Sequence, residues 1–154
     1  MRGEVYYDGK RWSIIYDDKM TVDEIRFTVA HEIGHMYLQH NKYKPKGVIV
    51  QPVFRSYPSA ENQASMFAER LLCPSCVLAA LDPQSPEEIA ELCHVELSVA
   101  KQRYKRMLTL NERKKYLTDP LEKKVYELFL PFINERKGLI ERPNDRENSA
   151  IILP

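Results

Sequence analysis

Two histidines and a glutamate form an H-E-x-x-H pattern at His31, Glu32 and His35. On an α-helix, side chains four residues apart lie one turn apart on the same face, so both imidazoles can bind one metal ion. Neutral imidazoles suit zinc, and the Glu32 carboxylate lies where it can accept a proton from a zinc-bound water. Because zinc lowers the pKa of that water to about 7, the pattern predicts a hydrolytic zinc site with Glu32 as the catalytic base.

A catalytic zinc site has three protein ligands and keeps its fourth position for water, so another ligand must come from elsewhere in the chain. We predict Glu61, because Glu61, Ala64 and Ala68 recur on one helix face whose small residues allow close packing on the first helix. Glu69 is the alternative, although it falls on a different face. Gly34, between the histidines, costs about 1 kcal/mol of helix propensity, which indicates a close approach of backbone or substrate there.

Other side chains near the H-E-x-x-H pattern have weaker sequence support for a role in metal binding or catalysis. His40 would lie about 140° away from His35 on a straight helix, so we expect it to be exposed and not to bind the same ion. Tyr37 or Tyr57 could donate a hydrogen bond to the oxyanion of a tetrahedral intermediate, and the sequence does not select between them. An H-E-x-x-H pattern also occurs by chance, but Glu61 and its alanine-lined face favour the functional interpretation.

The first elements of the chain carry clear local signals. Segments 4–7 and 11–16 are rich in β-branched and aromatic residues and flank an Asp-Gly-Lys turn, which predicts a β-hairpin. Thr21 and Glu24 have the spacing of a capping box, and apolar residues then recur at helical spacing. The H-E-x-x-H pattern therefore lies on a predicted helix over 22–40.

Further elements follow from proline, glycine and capping signals. In chain order they are a loop with one short edge strand over 41–58, a helix over 60–72 capped by Ser59, a helical pair over 86–93 and 97–107 hinged near His94, and a helix from Asp119-Pro120 to Asn134. The stretch VLAAL before the pair is apolar but too short to assign. We expect one domain over 1–136 and a flexible tail over 137–154.

Composition limits the class of protein. The chain has 154 residues, 44% hydrophobic and 29% charged, with a net charge of +1, which is typical of a globular protein and gives no global attraction to nucleic acid or membrane. Its amino terminus lacks the apolar region of a secretory signal, so we expect a cytoplasmic protein. Three cysteines do not make a disulfide framework, and free thiols are the simplest interpretation.

Two other interpretations compete for parts of the chain. Cys73, Cys76, Cys93 and His94 have the residue types of a second, structural zinc site, although core thiols account for them more simply. The pair over 85–107 resembles a helix-turn-helix, and direct DNA binding is the main rival function. The cations its second helix would present are Lys101, Arg103, Lys105 and Arg106. A solvated basic face, which could also dock an acidic protein, is the simpler alternative.

The segments RFTVAHEIGHMYLQH (26–40) and ENQASMFAERLLCP (61–74) resemble the ImmA/IrrE family of metallopeptidases. The resemblance covers roughly residues 10–107. It implies that His31, His35 and Glu61 bind zinc and that Glu32 is the catalytic carboxylate. It also implies a protein substrate, since members typically cleave a helix-turn-helix transcriptional repressor. The chain departs from the family pattern at Ser65, where asparagine is usual, and at Cys73, where methionine is common, and we expect neither to touch the metal.

Together these observations predict an α+β fold. We expect a small, mostly antiparallel sheet packed on a helical body, with a zincin-like core that holds one zinc ion between the first two long helices. With the family resemblance, the predicted activity is a zinc endopeptidase that cleaves a transcriptional repressor of the phage or mobile-element type. The alternative is a DNA-binding or anti-repressor module that binds its partner without cleavage and whose metal is structural.

Overall fold

The computed structural model describes four segments of the 154-residue chain, which are residues 3–7, 10–40, 58–113 and 116–138. The hairpin predicted at the start is confirmed, because β1 (Gly3–Tyr7) pairs antiparallel with β2 (Trp12–Tyr16). Tyr7 lies opposite Trp12, with their ring centroids 4.9 Å apart. Val5 is buried, and both strands contact the first helix.

Six helices complete the described part of the chain, and with the hairpin they confirm the predicted α+β class. They are α1 (Val22–Tyr37), α2 (Pro58–Leu72), α3 (Ser75–Leu81), α4 (Pro86–Cys93), α5 (Leu97–Arg113) and α6 (Pro120–Arg136). Helices α1 and α2 pack on each other, α4 packs on α5, and α3 contacts both α5 and α6. The sheet therefore lies at one side of a mainly helical body.

Helix α1 begins as predicted and ends earlier. The Thr21 side chain accepts a hydrogen bond from the Glu24 N–H, and the Glu24 carboxylate accepts one from the Thr21 N–H, which completes the capping box. The prediction that the helix continues to residue 40 is wrong, because Gln39 adopts a left-handed conformation with φ 53°. The N–H groups of Gln39 and His40 then bond the Met36 and His35 carbonyls at 3.2 and 3.1 Å, a Schellman motif that turns the chain back.

The next helices differ from the prediction at their ends. Helix α2 begins at Pro58, so Ser59 lies inside its first turn and does not cap it. The apolar VLAAL stretch belongs to α3, a helix that was not predicted because so short an apolar run has no readable period. Pro74 separates it from α2, and Asp82 ends it in the left-handed conformation, with φ 53°.

The carboxy-terminal helices agree with the prediction except in length. His94, with φ 50°, ends α4, so the predicted hinge is confirmed. Helix α5 continues past 107 to Arg113, because Met107 and Leu110 still pack in the core. The Asp119 carboxylate accepts a hydrogen bond from the Leu121 N–H at the start of α6, which runs to Arg136.

Some expectations lie outside the described residues. They concern the edge strand predicted within 41–58, of which only Pro58 is described, and the tail, of which residues 139–154 are not described. No single described helix is both long and apolar enough to cross a membrane, whereas the bent pair Ser59–Leu72 and Ser75–Leu81, with 43° between its helices, meets that requirement by length and composition.

Buried apolar side chains form two groups that share α3. The larger is centred on α3, α4 and α5 and contains Cys73, Leu78, Ile89, Val95, Val99, Ala100 and Met107. The smaller joins Cys76 and Val77 of α3 to Ile133 of α6. Phe27 of α1 and Leu72 of α2 pack against the larger group, so both helices that carry the H-E-x-x-H pattern and Glu61 are anchored to the core.

Candidate metal centre

Helix α1 buries polar side chains where a core helix would bury apolar ones. His31, Glu32 and His35 are 4%, 1% and 0% exposed, and they are flanked by the small buried residues Ala30 and Gly34. Burying such groups costs free energy unless they are paired or bind an ion. This face of α1 is therefore built for polar chemistry.

The two imidazoles converge with the carboxylate of Glu61 on α2. The Nε2 atoms of His31 and His35 are 3.0 Å apart, and the Glu61 Oε2 atom lies 3.3 and 3.5 Å from them. Tetrahedral zinc holds nitrogen and oxygen ligands about 2.0–2.1 Å away, which places those ligand atoms about 3.3 Å from one another. The donor set and its spacing fit one zinc ion with a fourth position left for water.

Close contact of the two helices makes this convergence possible. A Cβ atom added to Gly34 would lie 3.1 Å from the Ala64 carbonyl oxygen, 3.2 Å from the Ala64 Cα and 3.1 Å from a ring carbon of Phe67. The close backbone approach predicted from Gly34 is thus present, and its partner is α2. Ala64 and Ala68 are both fully buried, as expected for a small-residue face against α1.

Both histidines are contacted on their other ring nitrogen. The Ser65 hydroxyl lies 3.2 Å from His31 Nδ1, and His40 Nδ1 lies 3.0 Å from His35 Nδ1. The Nε2 atom of His40 in turn lies 3.1 Å from the Gln63 amide oxygen. Each candidate histidine ligand therefore has a partner that can fix the orientation of its ring.

The expectation that His40 is exposed is wrong. It is half-buried against His35, because the Schellman turn at Gln39 returns the chain to the end of α1. The cluster of candidate ligand atoms in the described residues consists of His31, His35 and Glu61. Sequence reasoning missed Ser65 as a contact of His31, although Ser65 is one helical turn after Glu61 and therefore on the same face of α2.

The remaining candidates lie elsewhere. Glu69, the alternative ligand, is half-buried on the side of α2 that faces Arg103, and burial raises its pKa above the usual value. Tyr37 is 76% exposed and stacks on Phe67, and Tyr57 lies outside the described residues. Neither observation assigns an oxyanion donor.

The cysteines and His94 do not form a second metal site in the described segments. There, the His31, His35 and Glu61 group is the only set of three or more candidate ligands with all ligand atoms within 4.8 Å of one another. A hydrogen bond with Cys93 and burial raise the pKa of the Cys73 thiol, so it stays protonated at neutral pH. The thiols are best explained as parts of the core.

Arg103 is the main correction to the predicted basic face of α5. It is 4% exposed, and its guanidinium donates to the Cys73 carbonyl at 2.8 Å and to the Ser75 hydroxyl at 2.6 Å. It therefore stabilises the junction between α2 and α3 and is not available to phosphates. The other three cations of the predicted face are exposed, namely Lys101, Lys105 and Arg106.

Comparison with known proteins points to one family. The family model described as Peptidase_M78, IrrE N-terminal-like domain, matches residues 2–105, which is more than half of the chain. That range includes both histidines, Glu32 and Glu61. A search of curated proteins and a search of solved structures found no match.

Proposed function

The chain belongs to the Peptidase_M78 family, the ImmA/IrrE metallopeptidases, and from that premise we propose that it is a zinc-dependent endopeptidase that cleaves a transcriptional repressor. The observation that carries the zinc site is the triangle of His31 Nε2, His35 Nε2 and Glu61 Oε2, with sides of 3.0, 3.3 and 3.5 Å. The repressor comes from the family resemblance alone.

Each residue of the site has a distinct task in this proposal. His31, His35 and Glu61 would hold the ion, which would supply Lewis acidity to activate a water and to polarise the peptide carbonyl. Glu32, buried beside His31, accepts the proton of the attacking water and delivers it to the leaving amine. The burial of Glu32 keeps the carboxylate in place and limits competition from bulk water.

The decisive experiment separates metal binding from catalysis. Glu32→Gln keeps the size of the side chain but removes the base, so we expect full zinc content and a loss of cleavage of about 100-fold or more. His35→Ala removes a ligand and is expected to lose both zinc and cleavage. Zinc is measured by metal analysis after purification without chelators, with the exposed Glu91→Gln as the control. Equal proteolysis by wild type and Glu32→Gln would refute the proposal.

The substrate is tested with the inactive variant. Glu32→Gln is expected to retain a bound repressor, which wild type then cuts at one position that mass spectrometry identifies. If Glu32→Gln binds a helix-turn-helix repressor and wild type leaves that repressor intact, the result would instead support binding without cleavage.

DNA binding remains the second candidate, because Lys101, Lys105 and Arg106 are exposed on α5 after the turn at His94. It predicts a salt-sensitive association that weakens when Lys105 and Arg106 are both changed to glutamine. Absence of any DNA shift at low salt would dismiss it.

A further inference from the structure

A relay of side chains leads from the candidate metal centre to the protein surface. His35 Nδ1 lies 3.0 Å from His40 Nδ1, and His40 Nε2 lies 3.1 Å from Gln63 Oε1. His35 is fully buried, His40 is half-buried and Gln63 is exposed. The two outer residues lie outside the group of candidate ligands, so their contacts need a separate explanation.

The amide oxygen of Gln63, the outermost group, determines which atom donates and which atom accepts in each hydrogen bond of the relay. With the Gln63 amide oxygen facing His40, as in the structure, the Nε2 atom of His40 carries the proton of this hydrogen bond, because an amide oxygen only accepts. A neutral imidazole protonated on Nε2 has a lone pair on Nδ1, so His40 accepts from His35 there. His35 is thereby protonated on Nδ1, and its Nε2 lone pair points to the side where His31 and Glu61 converge.

We propose that His40 and Gln63 are positioning residues that hold His35 in the tautomer and ring orientation needed to bind the metal ion. The inference rests on the proposed zinc site and adds two residues to it. Groups that accept from the free N–H of a metal-bound imidazole fix its tautomer and raise its basicity, and their loss typically weakens metal binding about 10- to 100-fold.

The backbone conformation at the end of α1 brings His40 to His35. The residue reaches His35 only because α1 ends in a Schellman motif with Gln39 at φ 53°. A residue other than glycine in that conformation costs about 1–2 kcal/mol. The same turn bonds the His40 N–H to the His35 carbonyl, so backbone and side chain together tie the two residues to each other.

The first test withdraws zinc from the loaded full-length chain with increasing chelator. His40→Ala is expected to release zinc at a chelator concentration about 10- to 100-fold lower than wild type. His40→Asn places an amide oxygen near the position of Nδ1 and should restore most of the affinity. His94→Asn is the control, because His94 is an exposed histidine that lies outside the site. Release of zinc from His40→Ala at the wild-type chelator concentration would overturn the proposal.

Gln63 is tested through its dependence on His40. Gln63→Ala is expected to weaken zinc binding less than His40→Ala does, and to cause no further loss in a chain that already carries His40→Ala. Asn62→Ala, at an exposed neighbouring position, is the matched control. If the loss of zinc-binding free energy in the double variant equals the sum of the losses in the two single variants, Gln63 does not act through His40.

A measurement on the zinc-loaded wild type keeps the proposal testable even if a variant misfolds. Long-range proton–nitrogen spectra of the imidazoles should show His40 protonated on Nε2, and protonation on Nδ1 instead would contradict the relay. None of these measurements needs a substrate. Unchanged affinity in the variants would therefore end this inference alone, whereas a wild-type chain that binds no zinc would end the proposed function.

Discussion

At the scale of single residues, Ser65 shows how this chain supports its first candidate ligand. Its hydroxyl lies 3.2 Å from His31 Nδ1, at a position where the family pattern usually has asparagine. A hydroxyl oxygen and an amide oxygen can both accept from an imidazole N–H. Either residue can therefore hold His31 with its Nε2 lone pair facing His35 and Glu61.

We expect Ser65→Ala to weaken zinc binding about tenfold, because it removes the acceptor for His31 Nδ1. Ser65→Asn should bind zinc nearly as well as wild type. Chelator competition measures both, and Met66→Ala, an exposed neighbour on α2, is the control. Wild-type affinity in Ser65→Ala would show that the hydroxyl does not position His31.

The residues that the sequence could identify are those whose relation follows from helical spacing alone. His31 and His35 share a face because they are one turn apart, and Glu61 was selected by the small residues that follow it. The contact between His40 and His35 could not be predicted in this way, because it depends on where α1 stops.

Arg103 shows that the charge of a side chain does not by itself predict that it is exposed. Its charge predicts an exposed position beside the other cations of α5, yet Val99, Arg103 and Met107 recur at intervals of one turn, and all three are buried. A buried guanidinium needs acceptors, and the Cys73 carbonyl and the Ser75 hydroxyl supply them. Periodicity was therefore the better guide to this side chain than its charge.

At the scale of elements, the contact of α1 with α2 determines the site. The ligands come from both helices, so their spacing depends on how closely Gly34 approaches Ala64. A Cβ at Gly34 would meet backbone atoms of Ala64 at 3.1 and 3.2 Å, closer than ordinary van der Waals contact. The helices would have to separate by a few tenths of an ångström to admit it.

We therefore expect Gly34→Ala to weaken zinc binding several-fold, although alanine improves the helix propensity by about 1 kcal/mol. Ala64→Val adds bulk on the other side of the same contact and should have a larger effect. Zinc release is measured by chelator competition, with Ser59→Val, at an exposed position of α2, as the control. Tighter zinc binding by Gly34→Ala would show that the close approach is not needed.

The helices were predictable where residues at the helix end itself mark the start or the stop. The capping box at Thr21 and the proline after Asp119 marked helix starts that the structure contains. The end of α1 was missed because its left-handed residue is Gln39, whereas glycine is the usual signal there. Helix α3 was missed because its stability comes from packing on α5 and α6 and not from its own pattern.

At the scale of the whole molecule, the packed unit extends beyond the family match. The match ends at residue 105, within α5, whereas α6 contributes Ile133 to a buried group with Cys76 and Val77. Those two residues belong to α3, which also packs on α5. Helix α6 is thus continuous with the core and not an appendage to it.

This continuity predicts a loss of stability without a loss of metal binding. Ile133 is 2% exposed, so Ile133→Ala should lower the free energy of unfolding by about 2–5 kcal/mol. Leu128→Ala, on the same helix but at a side chain that is 79% exposed, should change it by less than about 0.5 kcal/mol. Urea unfolding of the zinc-loaded chain measures both. Chelator competition should give the wild-type zinc affinity, because α6 packs mainly on α3 and contributes none of the three candidate ligands. If α6 were a separate appendage, Ile133→Ala would leave the main unfolding transition at the wild-type urea concentration. A shift of that transition would instead show that α6 unfolds together with the helices that hold the metal centre.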